Sequence, residues 1–305
     1  MPNLIAIIGP TASGKTRLAA GLAAAREAEV LSADSRQVYR RMDLGTGKDL
    51  SDFVVKGKQV PCHLIDLVDP EQEFSVFEYQ RHFYEAFSRI VSAGGGTPFL
   101  AGGTGLYLES VLLGYRMPRV PEDPGFRKGL AACDQAELAD RLRRMRPSLH
   151  NRTDLCGRER LIRALEIAVH ADRGEGAPVQ EERPAIDAFT IGIRVERTRL
   201  REQITRRLKR RLESGMVEEV EGLHASGVSW ERLDRFGLEY RFISRYLRGE
   251  LGYEDMFRLL NTAIHQFAKR QETWFRRMER RGVAISWIEG PDAGRAEELL
   301  RQRGL

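Results

Sequence analysis

"LIAIIGPTASGKTRLAAGLAAAREA" (residues 4–28) reads as three consecutive pieces. A short β-branched apolar run, LIAII, leads into a glycine-containing turn, and an alanine- and leucine-rich segment with helical spacing follows. Gly9, Gly14, Lys15 and Thr16 meet the pattern GxxxxGK[ST] between that strand and that helix, which is the context the pattern needs. In a loop built from Gly9, Pro10, Thr11, Ala12, Ser13 and Gly14, backbone N–H groups turn toward phosphate oxygens. Lys15 then adds a point charge and the Thr16 hydroxyl can reach Mg²⁺. Such a loop, the nucleotide-binding loop of ATP-using proteins, holds an anion without specifying phosphoryl transfer, because a departing pyrophosphate is held by the same contacts.

Further short apolar runs follow at EVLSAD (29–34), HLIDLV (63–68) and TPFLAGG (97–103), with room between them for crossover helices such as FSVFEYQRHFYEAFSRIVSAG (74–94). This βα alternation predicts an α/β fold of P-loop type, a parallel sheet flanked by helices. The texture then changes. RMPRVPEDPGF (116–126) is proline-rich, and residues 127–170 are charged and helical in spacing, ending near RGEGAPVQEERP (173–184). Residues 116–185 are therefore expected to form an inserted all-helical lobe, with residues 1–115 and 186–305 as the catalytic core. The sheet resumes at FTIGIRV (189–195). A basic amphipathic helix is expected over 199–227, with Gly227 as its C-cap, another over about 255–281, and a last strand at VAISWIE (283–289).

With 305 residues and 42% hydrophobic content, the chain can bury a large core without disulfides or structural metal. Cys62, Cys133 and Cys156 are isolated, with no CxxC pair. No apolar run approaches the roughly 18 residues of a membrane span, and the N-terminus lacks signal-peptide features, so a cytoplasmic protein is expected. Charge is segregated. Residues 1–115 carry 11 Lys/Arg against 13 Asp/Glu, whereas residues 191–282 carry 21 against 14. Solvated helix faces account for a basic composition, but its concentration in one third of the chain points to a polyanionic partner.

Two distinctive stretches, SADSRQVYRRMDLGTGK (32–48) and GGTGLYLES (102–110), follow the second and fourth strand candidates. Open α/β sheets bind ligands at the carboxyl ends of their strands, which brings Asp34, Ser35 and Thr104 to the mouth lined by the glycine loop. A helix cap or a plain turn is the alternative for each. Asp66, in HLIDLVDP, is the residue a phosphate-hydrolysing site would use to hold a metal-bound water.

GPTASGKT, SADSRQVYRRMDLGTGK, CHLIDLVDP, GGTGLYLES, RERLIRALEI and FAKRQETWFRR, in this order and spacing, resemble the bacterial tRNA dimethylallyltransferases (tRNA isopentenyltransferases) from about residue 4 to residue 281. The resemblance implies transfer of a dimethylallyl group from dimethylallyl pyrophosphate to N6 of the adenosine 3′ of the tRNA anticodon, with Mg²⁺ bound through Thr16. It implies Asp34 as the base and Gly9 to Thr16 with Arg207 on the pyrophosphate. It also implies tRNA contacts from Asp34, Ser35, Arg36, Gln37, Thr104, Phe126, Glu159, Arg160, Leu161, Ile162, Arg163, Arg235, Gly237, Tyr240, Lys269 and Arg270, in a protein acting as a monomer.

The chemistry agrees with that expectation. The N6 lone pair is delocalised into the ring, so a base must remove the proton as the C–N bond forms, and the departing pyrophosphate needs charge stabilisation. The target base must also leave its stack. In KRQETWFRR, Lys269, Arg270, Arg276 and Arg277 alternate with Trp274 and Phe275, a mix of cations and stacking faces suited to a single-stranded loop, although helical spacing suits the aromatics equally to a core.

Three departures stand out. GLEYR (237–241) replaces the family's more frequent glycine–tyrosine–lysine–glutamate, GTGK (45–48) stands where GTAK is usual, and Gln203 takes a place where arginine is common. Three rival readings are an adenylate isopentenyltransferase, which would not need the lobe, a P-loop kinase or NTPase, and a non-catalytic RNA-binding protein.

Overall fold

The computed structural model describes residues 1–117, 120–147, 157–172 and 183–305. They divide into two compact units, Met1–Tyr115 with Pro184–Leu305, and Arg116–Arg183. Cys156 lies outside the described residues, as does most of the RGEGAPVQEERP stretch.

In the larger unit the first half of the chain forms β1 (Leu4–Ile8), α1 (Lys15–Ala24), β2 (Val30–Ala33), a small hairpin of β3 (Val54–Val55) and β4 (Lys58–Gln59), β5 (Cys62–His63), α2 (Val76–Ser92), β6 (Phe99–Gly102) and α3 (Gly105–Leu112). The smaller unit contributes α4 (Pro124–Gly129), α5 (Gln135–Met145) and α6 (Arg158–Asp172). The chain then returns as β7 (Ala188–Arg194), α7 (Arg197–Glu213), α8 (Met216–Ala225), α9 (Trp230–Arg235), α10 (Leu238–Leu247), α11 (Tyr253–Arg280), β8 (Ile285–Glu289) and α12 (Ala293–Gln302). Six strands pair in the order β5-β2-β6-β1-β7-β8, and each pairing is parallel.

β1 explains why the sheet needs cover on both faces. Its five residues are fully buried, and they alternate. Ile5 and Ile7 pack with α1 and α12, through Leu18, Leu22 and Leu300. Leu4, Ala6 and Ile8 face Tyr79, Phe83 and Phe87 of α2, Leu108 of α3, and Phe275 and Met278 of α11. A third cluster joins α7, α8, α9, α10 and the first half of α11 around Val38, Tyr39 and Met42. α2 begins where the sequence directs it, with a capping box in which Ser75 Oγ accepts the Glu78 N–H and Glu78 accepts the Ser75 N–H.

Two elements differ from the expectation. HLIDLV contributes only His63 to the two-residue β5, because Leu64 (φ 66°) and Asp66 (φ 51°) turn left-handed and break the pleat. The basic helix over 199–227 is two helices, divided at Ser214–Gly215, where Gly215 has φ 100°. The second of them does end at Gly227, in a Schellman arrangement with Val228 N–H on the Leu223 carbonyl and Gly227 N–H on that of His224.

The smaller unit packs Leu138, Leu142, Leu161 and Leu165 into a core of its own and also buries a carboxylate, Glu166. Glu166 accepts from Arg127 at 2.7 and 3.0 Å, from Arg163 at 2.9 Å and from the Asp123 N–H at 3.1 Å. Burial pushes its pKa up, but these bonds outweigh burial and hold it at about 2.

Candidate active site

Three adjacent strands, β2, β6 and β1, end in the three loops singled out from the sequence. After β1, Ala12 (φ 62°) and Gly14 (φ 83°) curl the phosphate loop, and Gly14 opens α1 without a side-chain cap. A helix start of that kind turns backbone N–H groups and the positive end of the helix dipole toward an anion. Lys15 Nζ reaches back to the Pro10 carbonyl at 3.2 Å. Burial and the neighbouring Arg207 charge lower its pKa to about 8, against the opposing pull of Asp34.

After β2, Asp34 Oδ1 accepts the Arg36 N–H at 2.9 Å, a local turn that fixes the carboxylate at the strand end. The Ser35 N–H donates to Thr104 Oγ1 at 3.0 Å, and the Thr104 N–H donates to the Ala33 carbonyl at 3.2 Å, so the GGTG turn after β6 is tied to the Asp34 turn. Gly102 allows this close approach, since a Cβ there would overlap the Ala33 backbone. Gln37 accepts from Ser32 Oγ at 3.1 Å and donates to the Gly47 carbonyl at 3.1 Å.

From the other side, Arg207 of α7 donates to Thr11 Oγ1. Burial and the charge of Arg211 lower its pKa to about 10, while the charges of Asp49, Glu239 and Asp34 raise it. Asp34 thus lies within electrostatic reach of both Lys15 and Arg207. A carboxylate and two cations share one half-buried mouth, a setting in which fixed charges act on a reacting group more strongly than in water.

Gln271, inside KRQETWFRR, was not singled out by the sequence, yet it joins two of the loops. Its Oε1 accepts the Thr11 N–H at 2.7 Å and its Nε2 donates to the Gly103 carbonyl at 2.9 Å, with the residue 7% exposed. A Cβ on Gly103 would collide with that amide. Gln271→Met keeps the bulk but orphans a buried N–H and a buried carbonyl, each costing about 1–3 kcal/mol. We expect urea unfolding of the variant to show a loss of about 2–4 kcal/mol; a midpoint equal to the parent's would mean that water replaces both bonds.

The IPP transferase family model matches residues 37–278. The chain belongs to the IPP transferase family. The Isopentenyl transferase model matches residues 2–60. The chain is 52% identical over 301 residues to tRNA dimethylallyltransferase 1 of Syntrophus aciditrophicus, covering 99% of this chain and 98% of that one. It is 57% identical over 290 residues to tRNA dimethylallyltransferase 2 of Pelobacter propionicus, covering 94% and 90%. Among solved structures it is similar to the full-length tRNA isopentenylpyrophosphate transferase of Bacillus halodurans, at 31% identity and TM-score 0.66, covering 95% and 90%. A structure of a eukaryotic dimethylallyltransferase, 21% identical, shares the fold at TM-score 0.72, with 99% and 77% covered.

The remaining positions in this IPP transferase divide into surface and core. Lys269, Arg270 and Arg276 are exposed on α11, with the Arg270 guanidinium 5.9 Å from the Phe267 ring. Arg277 instead faces the buried Glu109 at 3.4 Å and lies over the Trp274 ring at 4.9 Å. Phe275 is core, and Trp274 packs where a Cβ on Gly105 would be, so these aromatics are structural in the main.

Tyr240, expected at the RNA, is 1% exposed and donates its hydroxyl to Glu219 at 2.7 Å. Glu219 also accepts the N–H groups of Asp43, Leu44 and Gly45 at 2.8, 2.7 and 3.0 Å, so the pair anchors the DLGTGK loop. Leu161, another expected RNA contact, is wholly buried in the smaller unit. Both side chains are therefore committed to cores of this chain, Tyr240 through its hydroxyl and ring packing and Leu161 through apolar packing. Arg163 is engaged with Glu166 and the Val120 carbonyl. Phe126 and Ile162 are partly buried against the same core, whereas Glu159 and Arg160 are exposed. Arg36 and Gly237 are half-buried and adjacent, with Arg235 exposed nearby in sequence.

Asp66 is committed elsewhere. It pairs with Lys48 Nζ at 2.5 Å, as does Asp43 at 2.7 Å, and the Lys48 side chain is 1% exposed. The acid that a hydrolase site would use is bound into the fold.

Proposed function

We propose that this chain is a tRNA dimethylallyltransferase that acts on N6 of the adenosine 3′ of the anticodon and releases pyrophosphate. The observation that carries this reading is the Asp34 carboxylate at the end of β2, in the field of Lys15 and Arg207, while Asp66 is held by Lys48. The names of the relatives, each a tRNA dimethylallyltransferase, support the same reading.

In this mechanism the N6–C bond forms as the allylic C–O bond breaks. Asp34 takes the N6 proton, and the electron pair leaves with the pyrophosphate, whose charge Lys15 and Arg207 offset. Mg²⁺ fits the donors present. The Thr16 hydroxyl follows Lys15 at the start of α1, and Mg²⁺ in phosphate sites takes one or two protein ligands and completes its shell with substrate oxygens and water. Bound there, it neutralises pyrophosphate charge.

The exposed Lys269 and Arg270 are proposed to grip the anticodon stem-loop, and the smaller unit to present Glu159 and Arg160 to the RNA. Among the described residues no helix is long and apolar enough to cross a membrane, and we take the enzyme to work as a monomer in the cytoplasm. Double replacement of Lys269 and Arg270 by alanine is expected to weaken tRNA binding and to flatten the log affinity–log salt slope by roughly 1–2. Dimethylallyl pyrophosphate affinity stays unchanged. An unaltered slope would make both cations solvated bystanders.

The reading as a whole is tested by incubating the protein with dimethylallyl pyrophosphate, Mg²⁺ and unmodified tRNA and analysing the nucleosides. Prenylated adenosine and pyrophosphate are expected in equal amounts. Steady phosphate release from ATP without tRNA, or equal transfer to free AMP, would replace this reading with one of its rivals.

A further inference from the structure

Gly47 and Glu239, two of the positions at which the chain departs from the dimethylallyltransferase pattern, border one side chain. Arg211 stands one turn after Arg207 on α7, so the two guanidinium groups project from the same helix face. It is 5% exposed. Its Nη2 donates to Asp49 Oδ2 at 3.2 Å, and its Nε is buried without a partner.

The guanidinium fills the space where a Cβ on residue 47 would stand, and Gly47 has φ 71°. Alanine, usual at this position in the family pattern, would meet both a collision and a left-handed backbone there. On the other side, Arg207, Arg211 and Glu239 border one small cavity of about 10 Å³, the room that a single water needs. Glu239 is the residue of GLEYR that takes the place of the family's lysine. The sequence has removed a cation at 239, supplied a counter-charge in its place, and brought a guanidinium in from α7 through the gap at Gly47.

A buried arginine kept only for packing is a poor bargain, since apolar residues of similar volume fill such sites at equal or better stability. This one stands among like charges. Arg207, one turn away on the same helix face, donates to Thr11 of the phosphate loop, which places Arg211 on the side of α7 that faces that loop. Three cations, Lys15, Arg207 and Arg211, crowd a mouth that already holds Asp34, Asp49 and Glu239. A multiply charged anion entering this mouth can take guanidinium donors over from Asp49 and Glu239.

We propose that Arg211 is a second arginine of the pyrophosphate site, which clamps the leaving group together with Arg207 while Asp49 and Glu239 hold it between turnovers. The proposal rests on the dimethylallyltransferase reading. Guanidinium groups suit the task because they offer paired donors that match phosphate oxygens, and the unpartnered Nε leaves Arg211 with a donor to spare.

The test is calorimetric binding of inorganic pyrophosphate with Mg²⁺ to the parent and to Arg211→Met, Arg211→Lys and Glu239→Gln. Arg211→Met is expected to bind about 10–100-fold more weakly, as for loss of a charge-assisted hydrogen bond. tRNA affinity should not change. Arg211→Lys keeps the charge but not the paired donors, so it should lose several-fold in affinity. Glu239→Gln should bind at least as tightly as the parent.

Parental affinity in both Arg211 variants, with the melting temperature alone altered, would make Arg211 a structural partner of Asp49 and end the proposal. If Arg211→Met does not fold, parental affinity in Arg211→Lys ends it alone. A parent that transfers the dimethylallyl group while both variants bind as it does sinks the clamp only. A parent that binds no pyrophosphate sinks the cradle and the clamp together.

Discussion

Asp34→Asn is expected to lower kcat by about 10²–10⁴, the usual range for loss of a general base, with affinities for tRNA and dimethylallyl pyrophosphate within about a few-fold of the parent. The asymmetry follows from what the residue does. Its Oδ1 is occupied by the Arg36 N–H, and asparagine keeps that acceptor and the side-chain size, so the turn after β2 survives. What is lost is a site for the N6 proton, needed only as the new bond forms, and an effect confined to the transition state appears in turnover. Single-turnover transfer with saturating substrates measures it. A variant that loses tRNA affinity as steeply as turnover would show Asp34 to be a binding residue.

Lys15→Ala should cost about 10²–10³ in turnover, the size seen when one preorganised charge is removed from a developing anion. It carries a pH signature as well. With its pKa lowered to about 8, chiefly by burial, Lys15 is largely charged at neutral pH and loses its proton through the range above. The anion favours the charged form. The ratio of parental to Lys15→Ala affinity for dimethylallyl pyrophosphate is therefore highest below pH 8 and falls as pH rises, by up to about tenfold per unit for one proton. Taking the ratio removes the titration of the ligand itself. A ratio independent of pH between 7 and 9.5 would place the Lys15 charge outside the site.

Much of this architecture is written locally. The strand, loop and helix over residues 4–28 are legible because the apolar run, the glycines and the alanine-rich segment each satisfy a short-range rule, and the parallel pairing of β1 with β6 and β7 follows from the alternation. The convergence of Asp34 with the phosphate loop is legible for the same reason. Other features are tertiary. HLIDLV has the apolar character of a strand, but Asp66 is drawn to Lys48, and two left-handed residues result. Tyr240 sits in GLEYR, where the chain departs from the family pattern, and only the fold shows that its hydroxyl belongs to Glu219. Gln271 did leave a trace. It occupies the stripe Ile264, Ala268, Gln271, Phe275 and Met278, whose members are all buried, and a polar residue on an apolar stripe needs internal partners. Arg211 left none, since its neighbours in sequence are equally basic.

At 28 residues, α11 is one rigid rod about 42 Å long. Near its carboxyl-terminal third, the exposed Lys269 and Arg270 immediately precede Gln271, which is fastened to both the phosphate loop and the GGTG turn. Under the proposed function, RNA gripping the outside of this rod and pyrophosphate settling on the loop inside meet at neighbouring residues of one helix, with the Gln271 amide fastened to the loop. Thermodynamic reciprocity then governs the pair: whatever factor bound tRNA imposes on the affinity for the prenyl donor, the donor imposes on the affinity for tRNA. Substituting Gln271 is then expected to move that factor toward one, so the mutual effect of the two substrates on each other's affinity becomes a property that one side chain can tune.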